Sequence, residues 1–190
     1  IQLNLKSGES RILITSNKPV GEWKLGSKVK VGGKEAIAAA DSKTIDLTEN
    51  AWKLSFTEDA PKVGETFNLK GVKSWEGLSE KAKVMMGTGV YETTIKLSKD
   101  DAKKQWAIDL GDVRESARVY INNKYVGCAW AVPYILNCKD ALNKGKNTIR
   151  IEVTNLPANR IAEMDRQGVK WRKMKEINVV AINYKKTTYE

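Results

Sequence analysis

Between Trp106 and Asn159 apolar and polar residues alternate with period two, and this constrains the fold more than any other feature of the chain. Trp106, Ile108 and Leu110 share one side, as do Val119 and Ile121, and again Ile149, Ile151 and Val153. Such alternation describes strands with one face in a core and the other in water. The connecting pieces are turn formers. GDVRES separates the first two runs, and Asn143-Lys144-Gly145-Lys146-Asn147 precedes the third. The Asn122-Asn123-Lys124 step suits a tight hairpin, because Asn tolerates positive φ better than most residues. An antiparallel sheet protein is the expectation.

The rest of the chain extends that reading. Trp52, Leu54 and Phe56 alternate along WKLSF as a core strand, and Phe67-Asn68-Leu69 is a short one. Val90 to Leu97 is a strong strand with Tyr91, Thr93, Ile95 and Leu97 on one face. Between these, SWEGLSEKAKVMMGTG is less strand-like, with Trp75 and Leu78 at helical spacing, and one or two helical turns over an end of the barrel are expected. Ser98 with Asp100 and Asp101 reads as an N-cap and acidic first turn. Residues 1–16 read as a hairpin, and a short strand is expected at Val29–Val31. Periodicity is poor up to Thr44, so residues 1–44 are expected to be an N-terminal β hairpin and linker, or the tail of a preceding domain. The sandwich is expected to occupy residues 45–190. After Asn155, LPANRIAEMDRQGVKWRKMKE reads as a long loop, and INVVAINY, Ile177 to Tyr184, as the closing strand.

IDLGDVRESARVYINNKYVG, AWAVPY and DALNKGKNTIRIEVTNLPANR, with SWEGL and GTGVYETTIKL upstream, resemble the galactose-binding-like jelly roll of bacterial glycoside hydrolases. The resemblance is nearest to the C-terminal sandwich of family 106 enzymes, the α-L-rhamnosidases, and more distant to the sugar-binding domain of family 2. It covers roughly Ile45 to Glu190. Two departures stand out. The hairpin usually reads Asn-Gly where this chain has Asn122-Asn123, and Val132 stands where the segment before Tyr134 often has a first proline. The fold implied is all-β: a galactose-binding-like jelly-roll β-sandwich with a short N-terminal β appendage. The role implied is that of a non-catalytic accessory domain of an α-L-rhamnosidase-like parent, packing on the catalytic domain of the same chain and contacting carbohydrate. An autonomous carbohydrate-binding module is the alternative, and a basic domain for polyanions a weaker one. A secreted or periplasmic parent is implied. Many jelly rolls of this kind hold a structural calcium, but no D-x-D-x-D-G loop is present, and no cofactor or metal site is expected.

Composition narrows the chemistry. The absence of histidine removes Ser-His-Asp and Cys-His catalysis and imidazole metal sites. Cys128 and Cys138 are too few for a disulfide framework, and two free, partly buried thiols are expected. Glycoside cleavage needs two carboxyl groups roughly 5–10 Å apart, and Asp109 with Asp112, or Glu163 with Asp165, read more simply as turn and surface acids. No catalysis by this chain is expected. Thirty-three Lys and Arg against 23 Asp and Glu give a net charge of +10, densest from Arg166 to Lys175. Without a recognisable nucleic-acid module this reads as a solvated basic face, so no nucleic-acid partner is expected. No apolar run approaches the ~20 residues that cross a bilayer, and no membrane partner is expected. The chain starts at Ile1 without a basic and apolar leader, which suggests a mature form or an excised piece.

Sugar binding asks for flat aromatics to stack on pyranose faces, and for Asn, Arg and Asp to bond hydroxyls. Trp130 and Tyr134 suit the first need. Asn159, Arg160, Asp165, Arg166 and Trp171 suit both. Together these seven are the candidate carbohydrate or interdomain contacts, expected to form one surface at an end or edge of the sandwich, where Pro133 interrupts the strand pattern. Trp52 and Trp106 belong in the core by their alternation, and Asn155 and Asn159 could instead satisfy buried backbone groups.

Overall fold

The computed structural model describes residues 27–30 and 43–170. In chain order its strands are β1 (Ser27–Lys30), β2 (Thr44–Asp46), β3 (Ala51–Ala60), β4 (Phe67–Lys70) and β5 (Met86–Leu97). They continue as β6 (Trp106–Asp109), β7 (Ser116–Ile121), β8 (Lys124–Ala129), β9 (Ile135–Asn137) and β10 (Gly145–Thr154). Two short helices, α1 (Glu80–Val84) and α2 (Ala158–Arg166), and three 3₁₀ turns complete the described elements. One sheet has the order β4-β3-β5-β10-β7-β8 and the other β2-β1-β6-β9. This is the all-β sandwich expected from the alternation.

The inward faces are the ones the sequence marks. Trp52 and Leu54 of β3, Tyr91, Ile95 and Leu97 of β5, Ile149 and Ile151 of β10, and Val119 and Ile121 of β7 are all buried. Trp106 and Ile108 of β6 join the same cluster from the other sheet. Each buried indole also finds an acceptor, because an unpaired N–H in a dry core is costly. Trp106 Nε1 donates to the Asp101 carbonyl at 2.8 Å and Trp52 Nε1 to the Leu47 carbonyl at 3.1 Å. The hairpin between β7 and β8 turns on Asn122 and Asn123, with φ of 52° and 63°. Two left-handed residues in a two-residue loop match the right-handed twist of the flanking strands.

Three expectations need correction. The larger sheet is antiparallel throughout, but in the smaller one β1 runs parallel to both β2 and β6, and β9 alone is antiparallel to its neighbour. The stretch from Lys30 to Thr44 has the dozen or more residues that a parallel crossover requires. β1, placed before residue 45, contributes to that smaller sheet. Secondly, the segment after Asn155 is not a loop throughout, since it carries α2. There Ala158, Ile161, Ala162 and Asp165 recur at helical spacing, with Ala162 buried. Gly168 at φ 69° closes the helix: its amide donates to the Asp165 carbonyl at 3.1 Å, and Val169 donates to Met164 at 2.9 Å. Thirdly, Ser98 does cap locally, accepting the Asp101 amide at 3.0 Å, but the turn at Asp101–Lys103 is 3₁₀ with Asp100 in the cap position. The expected hairpin at 1–16, the strand at 177–184 and Trp171 lie outside the described residues.

α1 seals one end of the sandwich. Ser79 caps it by accepting the Ala82 amide at 3.2 Å. Ala82, Met85 and Val63 form a second small core there, against Phe56, Phe67, Trp75 and Leu78. This end carries the candidate site.

Candidate functional site

At that end, where β6 and β10 finish and β5 begins, the sandwich opens into a cavity of about 600 Å³. Its lining combines core residues (Trp52, Tyr91, Leu110, Ile151, Val153) with a polar rim that includes Lys73, Glu76, Lys83, Asp112, Arg114 and Asn159. Trp75 is the half-buried aromatic between floor and rim. Its seat depends on Gly89: a Cβ added there would fall 2.5 Å from the Trp75 ring. Phe56 meets the same indole edge-on at 5.2 Å between centroids. Trp75 Nε1 donates to the Tyr91 hydroxyl at 2.7 Å, and that hydroxyl donates to the Lys73 carbonyl at 3.3 Å. Burial pushes the Tyr91 phenol up to about 12, against the pull of the Trp75 bond, so it stays neutral and keeps its donor.

The GDVRES turn supplies the most polar part of the rim. Arg114 Nη2 meets Asp112 Oδ2 at 2.7 Å, and its Nε reaches both carboxylate oxygens at 3.1 and 3.2 Å. The Arg114 hydrogen bonds hold Asp112 below the usual carboxylate range, and Asp112 in turn raises Arg114. Asp112 is therefore a hydrogen-bond acceptor at working pH and not a proton donor. Glycoside cleavage wants an acid whose pKa is raised, whereas a fixed carboxylate–guanidinium pair presents acceptors and donors suited to binding hydroxyls.

The residues singled out from sequence divide between this cavity and its surroundings. Asn159 lines the cavity from the first turn of α2, with its Nδ2 3.3 Å from the Lys83 carbonyl and 3.4 Å from Glu76 Oε1. Arg160 and Arg166 border a second groove of about 650 Å³ between α1 and α2, where Arg166 pairs with Glu163 at 3.2 Å. Asp165 serves the end of α2 through its carbonyl. Trp130 follows β8 and is 65 % exposed. Register carries it to the cavity end, since Ala129 pairs with Ala117 and the adjacent Ser116 with Thr154, one residue before Asn155. Tyr134 is half-buried against the core, and its carbonyl accepts the Leu110 amide at 2.9 Å. Neither aromatic lines the cavity. Asn155 is a structural clamp: Oδ1 accepts the Gly87 amide at 2.9 Å and Nδ2 donates to the Met85 carbonyl at 3.0 Å.

Trp75, Lys73, Lys83 and Arg114 carry no local sequence signal for such a site, and Asp112 alone reads as a turn acid. They come from two separated stretches, residues 73–83 and 112–114, that only the fold brings together. The one local signal was Gly89 inside a strong strand, a position where another group approaches the backbone closely. Both cysteines are free, Cys128 half-buried and Cys138 buried. Among the described residues, no cluster of three His, Cys, Asp or Glu could hold a metal ion, and no helix is long and apolar enough to cross a membrane.

Residues 77–189, more than half of the chain, match the family described as glycosyl hydrolase 2 galactose-binding domain-like. The chain belongs to that family. A Formosa agariphila protein provisionally named a β-glucuronidase is 28 % identical over 170 residues, which are 84 % of this chain and 14 % of that protein. The rhamnosidase of Novosphingobium sp. PP1Y shares the fold with a TM-score of 0.58 and 24 % identity, over 72 % of this chain and 13 % of that one. The β-D-glucuronidase of Dictyoglomus thermophilum is more distant, with a TM-score of 0.48 and 16 % identity over 56 % of this chain and 19 % of its own. This galactose-binding-like domain thus spans about a seventh of each of the first two relatives.

Proposed function

We propose that this chain is a non-catalytic accessory sandwich of a larger, α-L-rhamnosidase-like glycoside hydrolase, packing on the catalytic domain of the same parent chain and contacting carbohydrate. The observation that carries this reading is membership of a galactose-binding-like family in a chain that spans 14 % of a relative named for glycosidase activity. In this reading residues 45–190 form the jelly roll, and residues 1–44 are an appendage whose strand β1 extends the smaller sheet. Trp130 and Tyr134, with Asn159, Arg160, Asp165, Arg166 and Trp171, face the neighbouring domain or the glycan. Support comes from Trp130, a large aromatic left 65 % exposed at the end that also bears the cavity, since exposed aromatics of this size anchor interfaces. The parent is secreted or periplasmic, where polysaccharide is met.

The test is the complete reading frame, expressed with and without residues 45–190. A glycosidase domain in the same frame, and a loss of thermal stability and activity on deleting the sandwich, are expected. A frame encoding no catalytic domain would overturn the reading and leave an autonomous carbohydrate-binding module, the alternative that the exposed Trp130 also favours.

A further inference from the structure

The cavity at the end of the sandwich and the groove between α1 and α2 adjoin at one residue. Lys83 lines both. Lys73 and Arg114 stand on the rim of the cavity, and Lys81, Arg160 and Arg166 border the groove. Among the described residues Lys73, Lys81, Lys83 and Arg160 have no carboxylate partner. Four acids also line the two spaces, with Glu80 on the groove carrying no basic partner among the described residues, against six basic residues. Asp112 is held by Arg114 at 2.7 Å and Glu163 by Arg166 at 3.2 Å, while Glu76 lies 3.4 Å from the Asn159 amide. The track therefore keeps a positive field of its own, in a chain whose net charge is +10, and a recessed groove concentrates such a field.

We infer that this continuous track binds an acidic oligosaccharide, a run of sugar residues bearing carboxylate or sulfate groups. The inference rests on the carbohydrate-facing role proposed above and names the ligand class. Each of the two spaces falls within the range of small-molecule sites, and their junction at Lys83 fits a chain of sugars better than a single one. Trp75 and the apolar floor offer the flat contact that pyranose CH faces need. The Asp112–Arg114 pair and Asn159 offer donors and acceptors for hydroxyls. The unpaired amines of the exposed Lys73 and Lys83 and the half-buried Arg160 guanidinium meet the acidic groups, and the attraction falls as salt rises. Nucleic acid fits less well, because successive bases need aromatic platforms along the whole groove, and no aromatic lines the part between α1 and α2.

The experiment titrates the 190-residue chain with β-1,4-linked tetraglucuronate, with the neutral tetraglucose of the same linkage, and with that tetraglucose sulfated, reading affinity by calorimetry at two salt concentrations. At least one acidic sugar is expected to bind tenfold or more tighter than the neutral one. Preference between the two acidic sugars assigns carboxylate or sulfate as the group recognised. Lys83→Gln should weaken that binding fivefold or more with an unchanged Tm. Arg118→Gln, an exposed charge on β7 away from the track, should leave it unchanged. Equal binding of neutral and acidic sugars, no binding of any, an oligothymidylate of equal charge binding as tightly, or equal effects of the two substitutions would each overturn the inference. None of these results bears on the parent reading frame, so the two proposals fail separately.

Discussion

Asn122 Nδ2 donates to Asn147 Oδ1 at 2.8 Å, tying the β7–β8 hairpin to the first residues of β10. Asn147 is fully buried, and its remaining valences are used. Its Nδ2 donates to the Asn143 and Gly145 carbonyls at 2.7 and 3.0 Å, and its Oδ1 also accepts the Asn143 amide at 2.7 Å. Asn122 reaches further, donating to the Ala141 carbonyl at 2.9 Å and accepting the Thr148 amide at 3.0 Å. Two asparagines thus replace the ladder hydrogen bonds that the turn at 143–145 lacks.

That arrangement separates the two hairpin positions. Asn147→Ala strands buried backbone groups and should cost about 3 kcal/mol, since each orphaned group carries ~1–3 kcal/mol. Asn123, exposed at φ 63°, makes no such bonds, so Asn123→Gly should be stabilising by up to about 1 kcal/mol through relief of left-handed strain. Urea titrations of both variants check the pair, and a destabilised Asn123→Gly would show that the turn depends on the second side chain too.

Trp106 is 1 % exposed and lies in the same core cluster as Ile108, Val119 and Ile151. Trp106→Ala should cost about 3–5 kcal/mol, the range for truncating a large core aromatic. It would also remove one of the two donors to the Asp101 carbonyl, leaving only the Lys104 amide at 3.1 Å. A loss below about 1 kcal/mol in the same titration would contradict the core described here.

Stability should fall at both pH extremes for identifiable reasons. Burial raises the Tyr91 phenol from 10.0 to about 12 and the Cys138 thiol from 9.0 to about 12. Both folded-state values exceed the unfolded ones, so their contribution is complete below about pH 9 and is lost as pH rises from there toward 12. At 1.36 kcal/mol per unit, the losses are at most about 3 kcal/mol for Tyr91 and about 4 kcal/mol for Cys138. On the acid side Lys43, Ser98 and Lys104 lower Asp101 from 3.8 to about 2, so its contribution is present above 3.8 and lost as pH falls toward 2. The pH profile of unfolding free energy checks this, and Cys138→Ala should make the alkaline limb shallower.

The core was legible because its information is local. Period two names the face of each strand, so Trp52, Tyr91, Trp106 and Ile149 could be placed inside without knowing which strands are neighbours. The hairpin was legible for the same reason, since Asn122-Asn123 carries its own φ preference. The site was not. Asn159 was found as a polar residue in a suspect segment, but Trp75, Lys83 and Arg114 meet it only through the pairing of β5 with β10 and the fold-back of α2. α2 itself is hidden because Pro157 and the polar run around Arg160 and Asp165 read as loop, and only the stop signal at Gly168 marks its end. The parallel placement of β1 depends on a crossover that no short pattern specifies.

Gly89 and Trp75 give the sharpest handle on the cavity. Gly89→Ala puts a methyl where the indole now rests, 2.5 Å from its ring. Strand geometry leaves the methyl no alternative direction, and Trp75 is fixed from the other sides by Phe56 and by its bond to Tyr91. The indole must therefore leave its seat, at a cost of about 1–3 kcal/mol typical of overpacking, and the Tyr91 hydroxyl loses its donor. Trp75→Ala on the glycine background removes the same side chain but creates no clash, and adding Gly89→Ala to it should then cost less than about 1 kcal/mol. A double-mutant cycle read by denaturant unfolding measures that coupling, and additive effects would mean that Trp75 does not rest on Gly89 in solution.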